Sequence, residues 1–169
     1  PDPDKLRRVM DEISAHLDGT IHLPELIALV LKGMREGIGL NRVVFALVTS
    51  DRSAVKAKYV LGAEENSPLM NFQFDMKTPH LFARLLSKTQ SVWVNTANQT
   101  TFSPLIPARI SEMIGGREGF FAMSIFVRDK PAGLFYADRK PGGCELDESG
   151  YQDFKKLCLR AAQGLGALR

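Results

Sequence analysis

The sequence is poor in most of the features that mark a simple functional class. It has two cysteines in 169 residues, Cys144 and Cys158, too few for a disulfide scaffold and suited to a reducing cytosol. No apolar run approaches the ~20 residues of a membrane-crossing helix, so no membrane span is expected. Neither sign of charge dominates: 22 cations face 19 anions, net +3, spread along the chain without a block. That is a solvated surface and not a nucleic-acid footprint. The opening PDPDKLRR carries neither Met nor an apolar secretory core, and reads as the start of a fragment cut from a longer, cytoplasmic protein. Of the three histidines, His16, His22 and His80, none is spaced as a metal ligand with another or with a cysteine.

Catalytic signatures are missing too. There is no phosphate-binding G-x-x-x-x-G-K-[ST] loop, no H-E-x-x-H and no G-x-S-x-G elbow. Gly115-Gly116-Arg117-Glu118-Gly119 follows a helical pattern and enters a strand. A dinucleotide loop needs the reverse order, so that the helix N-terminus faces the phosphate; this one is a connector. Gly142-Gly143-Cys144-Glu145-Leu146 superficially resembles the hairpin of diguanylate cyclases, but Cys144 stands where an acid is required and a helix follows. The chain is not expected to be an enzyme, and its residues name no cofactor. Cys144, in a glycine-rich loop, reads as exposed, whereas Cys158 lies on an apolar stripe.

What is present is one ordinary globular domain, with 44% hydrophobic and 24% charged residues. It divides into N-terminal helices (1–39), a sheet with inserted short helices (40–146) and a C-terminal helix (147–169). Leu6, Val9, Met10, Ile13 and Leu17 recur at helical spacing, as do Leu26, Ile27, Val30, Leu31 and Met34 after Pro24. Residues 42–49 are apolar on both faces, the mark of a strand covered on two sides. Residues 54–61 alternate, placing Val55, Ala57, Tyr59 and Leu61 on one face; Met70, Phe72, Phe74 and Met76 alternate likewise. Thr78-Pro79 reads as the cap and first turn of a short helix, 91–95 as a short strand, 96–103 as a polar loop and 107–114 as another short helix. Strands at 120–128 and 133–139 flank the turn Asp129-Lys130-Pro131-Ala132, a register that sets Ile125 opposite Tyr136 and Met123 opposite Asp138. The last helix, capped by Asp147, carries Tyr151, Phe154, Leu157, Cys158, Ala161 and Leu165 on its stripe. The sum is α+β with an antiparallel sheet.

The stretch 120–168, and GLFYADR (133–139) most of all, resembles the C-terminal half of a GAF domain, and the upstream order of elements is compatible with that family. The resemblance implies a regulatory or sensory module: a GAF-like central antiparallel β-sheet with terminal helices on one face and short helices over a small-molecule pocket on the other. Cyclic-nucleotide-binding members carry an Asn-Lys…Phe…Asp-Glu pattern, where this chain has Asp138, Arg139, Cys144, Asp147 and Glu148; only the acidic end matches, and Arg139 is expected to pair with Asp147 or Glu148. Bilin-binding members carry a Cys-His attachment pair that is absent, and Ser103–Arg109 matches their Asp-Ile-Pro…Ala-Arg segment only in shortened form. The rare methionine sulfoxide reductases of the fold rely on an array of cysteines that Cys144 and Cys158 do not reproduce.

Family geometry puts the pocket under the short helices and the 96–104 loop. Trp93, Phe102 and Tyr136 would wall it, with Arg109 and Ser124 as polar contacts. Two functions then compete. One is a sensor whose ligand controls an effector domain elsewhere in the full-length chain, an arrangement such segments show beside HDOD modules in bacterial signalling proteins. The other is a ligand-free interaction module, a homodimer joined through Leu6, Met10, Ile13, Leu157, Ala161 and Leu165 on its terminal helices.

Overall fold

The computed structural model describes residues 1–114, 119–142 and 145–168; Gly115–Glu118 of the glycine connector and Cys144 lie outside the described residues. The first apolar stripe folds as α1 (Pro3–Ala15), with Pro3 in its first turn and Asp2 accepting the Lys5 N–H at 3.1 Å. The second is α2 (Leu23–Lys32), whose last turn widens into a π-helix over Gly33–Ile38 and stops at Gly39, φ +86°. Only glycine enters that left-handed conformation without strain.

Six strands follow in the order of the alternating segments: β1 (Arg42–Val48), β2 (Ala54–Leu61), β3 (Gln73–Asp75), β4 (Ser91–Val94), β5 (Phe120–Val127) and β6 (Lys130–Asp138). They form one antiparallel sheet in the spatial order β3-β2-β1-β6-β5-β4. The long helix α6 (Glu148–Ala167) is capped as expected, Asp147 accepting the Gly150 N–H at 2.7 Å. It packs with α1 and α2 on one face, over Val43, Phe45, Phe121, Phe135 and Ala137. The opposite face (Val44, Ala46, Ala122, Leu134 and Tyr136) lies under the short helices α3 (Leu81–Leu85) and α5 (Ala108–Ser111) and a 3-10 turn at Pro68–Asn71. A sheet sandwiched this way needs apolar residues on both faces of its central strands, which is the pattern of 42–48.

Several local readings are corrected. A β-bulge between Phe45 and Ala46 opposite 57–59 breaks the period of β2. Val55 and Ala57 therefore face the short helices, while Tyr59 and Leu61 face the long ones. The β5–β6 turn is Arg128-Asp129, both left-handed at φ 51° and 65°, as a two-residue hairpin turn requires. Lys130 and Pro131 are thus inside β6, and Ile125 pairs with Gly133 and Met123 with Phe135 rather than with Tyr136 and Asp138. Met70 sits in the 3-10 turn and is 39% exposed. His80, not Thr78, caps α3. The 96–103 loop winds into α4 (Gln99–Phe102), because Asn98 bonds the Asn95 N–H and the Trp93 carbonyl and so closes the preceding turn.

The stripes assigned to a dimer interface are consumed by the chain's own core. Leu6, Ile13, Leu157 and Ala161 are buried within it, and Met10 and Leu165 are half-buried against it. Among the described residues the exposed large apolar side chains are Met70 and Leu159. The three-helix layer absorbs both stripes because α1 and α6 pack on each other and on α2, so one sheet face covers more helix surface than a single layer of contacts would.

Candidate functional site

The GLFYADR segment proves to be a set of fold locks. A Cβ on Gly133 would lie 2.2 Å from the Ala46 carbonyl oxygen, so glycine is needed for β6 to approach β1. Tyr136 and Asp138 are fully buried, and the Tyr136 hydroxyl donates to Asp138 Oδ2. Arg42, at the start of β1, closes on the same carboxylate with Nε to Oδ1 at 2.9 Å and a terminal nitrogen to Oδ2 at 2.6 Å. The Lys140 N–H completes it at 3.0 Å. Burial works against the Arg42 charge, but the hydrogen bond and the Asp138 charge outweigh it and hold the guanidinium above its ordinary range. Arg42 also donates to the Met113 carbonyl at 3.2 Å, just beyond α5.

The next residue, Arg139, does not pair with Asp147 or Glu148. Its guanidinium donates to the carbonyls of Ile38, Gly39 and Glu145, binding the end of the π-helix to the approach of α6. A cation at a helix C-terminus meets the unpaired carbonyls and the negative end of the dipole, and is favoured there.

Of the expected pocket residues, only Arg109 borders an open cavity on the short-helix face. That face is closed at its centre by Phe72, Phe82, Phe120 and Tyr136, with neighbouring ring centroids 5.2–5.7 Å apart, the spacing of favourable aromatic packing. Tyr136 is thus a core residue tied to Asp138 and not a wall, and Phe102 is half-buried against the same core. Trp93 is on the other face: strand alternation sends Val92 and Val94 toward the short helices and the indole toward Phe121 and Tyr151, at 5.8 and 5.7 Å. Ser124 is buried and spends its hydroxyl on the Lys88 carbonyl (2.9 Å) and the Gln90 N–H (3.2 Å), tying β5 to the segment that enters β4.

Two adjoining recesses open at the periphery, between β3 and α5. One, about 170 Å³, is lined by Phe74, Thr78, His80, Pro107 and Ile110. The other, about 250 Å³, reaches Ser53 and Lys56. Gln73, Asp75 and Arg109 border both. His80 is 5% exposed; its Nδ1 accepts the Ala83 N–H at 3.2 Å, so the ring proton sits on Nε2 and donates to the Asp75 carbonyl at 3.3 Å. Burial holds this imidazole below its ordinary value, and the ring is neutral. Sequence reasoning missed His80 because histidine is not a favoured cap and Thr78 is. Asp75 and Gln73 were missed because edge-strand polar residues read as solvated. Among the described residues no cluster has the composition of a metal site, and no helix is long and apolar enough to cross a membrane.

No family model matches the sequence and no curated protein matches it. Solved structures do match over nearly the whole chain. The phycoerythrobilin-bound GAF domain of a cyanobacterial phytochrome aligns with TM-score 0.71 at 16% identity, covering 96% of this chain and 95% of that one. Residues 122 to 287 of a methyl-accepting chemotaxis protein align at 0.69 and 15%, covering 94% and 96%. A GAF domain/HD domain protein from Geobacter sulfurreducens aligns at 0.69 and 15%, covering 89% and 95%. Identities this low carry architecture and not chemistry; by its strand order, its two-sided helical cover and these likenesses, the chain has the fold of a GAF domain.

Proposed function

We propose that the chain is a regulatory domain of signal transduction, in which a small molecule held between β3 and α5 alters the terminal helices and, through them, an effector domain of the full-length protein. The observation that carries this reading is a continuous hydrogen-bonded connection across the sheet. The α5 segment that bears Arg109 runs on to Met113, whose carbonyl is held by Arg42; Arg42 is locked to Asp138; and the adjacent Arg139 grips the end of the π-helix and the approach of α6. Movement of α5 is thereby felt at two helix ends on the opposite face. The chemotaxis protein and the phytochrome among the structural neighbours are signalling proteins by their names, which supports the same role.

The aromatic closure of the short-helix face favours a second reading, a ligand-free interaction module. Thermal unfolding against cyclic nucleotides, tetrapyrroles and small metabolites, with hydrogen exchange of α6 followed in parallel, separates the two. A ligand at 100 times its dissociation constant stabilises by about 2.7 kcal/mol, a rise of roughly 5–10 °C at this chain length. The sensory reading expects that rise together with altered exchange at the ends of α2 and α6. Exchange that changes only around the recesses overturns the transmission, and no saturable shift across the panel favours the interaction module.

A further inference from the structure

We infer that the free edge of β5, beyond the end of β4, takes an extended segment of a partner protein as an added strand antiparallel to β5. This surface lies at the opposite edge of the sheet from β3, and its role stands whether or not a small molecule binds beside β3. β4 pairs with β5 only along 120–123, and the last backbone bond from that side is the Ser124 N–H to the Gln90 carbonyl, 3.1 Å. β5 runs on to Val127 with β6 alone as its ladder partner. Residues directly opposite in an antiparallel ladder either bond each other or both turn outward. Pro131, opposite Phe126, has no N–H and gives its carbonyl to Arg52 at 2.8 Å, so this pair turns outward. The Phe126 N–H and carbonyl therefore face the side that β4 has left, where no backbone bond reaches them among the described residues. Edge strands are commonly blunted by lysine or proline; residues 124–127 carry neither.

The helix above leaves room for the strand. With 20 residues, α6 is about 30 Å long, against roughly 13 Å for the four residues of β4. Tyr151, Leu159, Ala162 and Gly166 share one flank of α6 by helical spacing. Its first turns rest on β4, Tyr151 meeting the Trp93 ring and the Ser91 hydroxyl. Leu159, Ala162 and Gly166 continue past the end of β4 and wall a groove of about 380 Å³ with Phe126 and Val127. Leu159 is 49% exposed, one of two exposed large apolar side chains among the described residues. A strand about 4.8 Å from β5 lies in line with β4 and turns alternate side chains onto this flank, where Ala162 and Gly166 are small enough to admit them. A helix in the groove would cover Leu159 but leave Phe126 unpaired; a strand satisfies both. Arg128 is the one charged side chain lining the groove among the described residues. It donates to the Gly166 carbonyl at 3.0 Å and pairs with no acid there. A strand antiparallel to β5 begins at that end, so the segment that fits is apolar at alternate positions and acidic at its N-terminal end.

The probe is a short synthetic peptide, glutamate followed by alternating valine and threonine, titrated into the folded chain and followed by NMR. In the free chain the Phe126 amide should exchange about a hundredfold or more faster than those of Ile125 and Val127, which β6 protects. The peptide is expected to bind saturably and to slow Phe126. Methylating alternate backbone nitrogens of the peptide keeps its side chains and removes the donors along one edge. One of the two alternate patterns strips the edge facing β5 and should weaken binding about tenfold or more; the other should be neutral. Leu159→Lys, at an exposed position, is expected to melt like the parent and to weaken the peptide about tenfold. Equal binding of the two methylated peptides, no binding of the unmethylated one up to about 1 mM, or a Phe126 amide as protected as its neighbours in the free chain would each overturn the inference. A chain that sediments as a dimer, with Phe126 protected only where the dimer forms, makes the occupant a second copy and equally overturns the partner segment.

Discussion

Removing the Asp138 charge is expected to be among the most damaging conservative changes in the chain. Asp138 is fully buried and receives four hydrogen bonds, two from Arg42 and one each from the Tyr136 hydroxyl and the Lys140 N–H. In Asp138→Asn the volume is kept, but one terminal atom becomes an NH₂ group. Whichever way the amide turns, that group faces donors, because each carboxylate oxygen now accepts one bond from Arg42 and one from another donor. Arg42, 8% exposed, is left as a buried cation without a counter-charge. Breaking one side of such a pair costs about 3–5 kcal/mol, against a total stability of roughly 5–15 kcal/mol. At this length the midpoint should fall by about 6–20 °C. Urea unfolding followed by the fluorescence of the single tryptophan, Trp93, checks it: its indole rests on Tyr151 of α6 and reports the helix–sheet contact. The double variant Arg42→Met with Asp138→Leu removes both charges, and should recover most of the loss, since well-packed apolar replacements of a buried pair are often neutral. A loss below about 1 kcal/mol for Asp138→Asn, or a double variant as unstable as the sum of the singles, would refute the lock.

Three further outcomes follow from single contacts. His80 is neutral when folded and its value is held below the ordinary 6.5 by burial, so below that pH the unfolded chain takes up the proton first. The stability it contributes is full above pH 6.5 and is lost as pH falls through the folded value, whereas His80→Asn, itself a good cap, should flatten that part of the profile in urea melts between pH 8 and 5. Gly133→Ala sets a methyl 2.2 Å from the Ala46 carbonyl oxygen and must separate β1 from β6; calorimetry should show a loss of about 3 kcal/mol or more, or no cooperative transition. Burial pushes the Cys158 thiol well above its ordinary range, so in a Cys144→Ser background an aromatic disulfide reagent should react only once urea unfolds the chain, and prompt native-state labelling would contradict that packing.

The fold class, the two-sided central strand 42–48, the helical stripes and the Asp147 cap were all legible in the residue pattern. Each of these follows from local periodicity and capping chemistry that the chain carries wherever it is placed. Periodicity tells which residues share a face but not what covers that face, so Trp93 could be placed on β4 and yet assigned to the wrong side of the sheet. It is blind to insertions in a ladder: one bulge opposite 57–59 reverses the faces of Tyr59 and Leu61 relative to Val55. It also fixes a hairpin only as well as its turn is known, and two left-handed residues at Arg128 and Asp129 shifted the β5–β6 pairing. The charges were decided last and by the tertiary structure alone. Arg42 and Asp138 are 96 positions apart, and Arg139 and Gly39 are 100 apart, so no local pattern relates them. Their partners exist only because the sheet brings the ends of β1, β6 and α2 to one corner and excludes the water that would otherwise have solvated them.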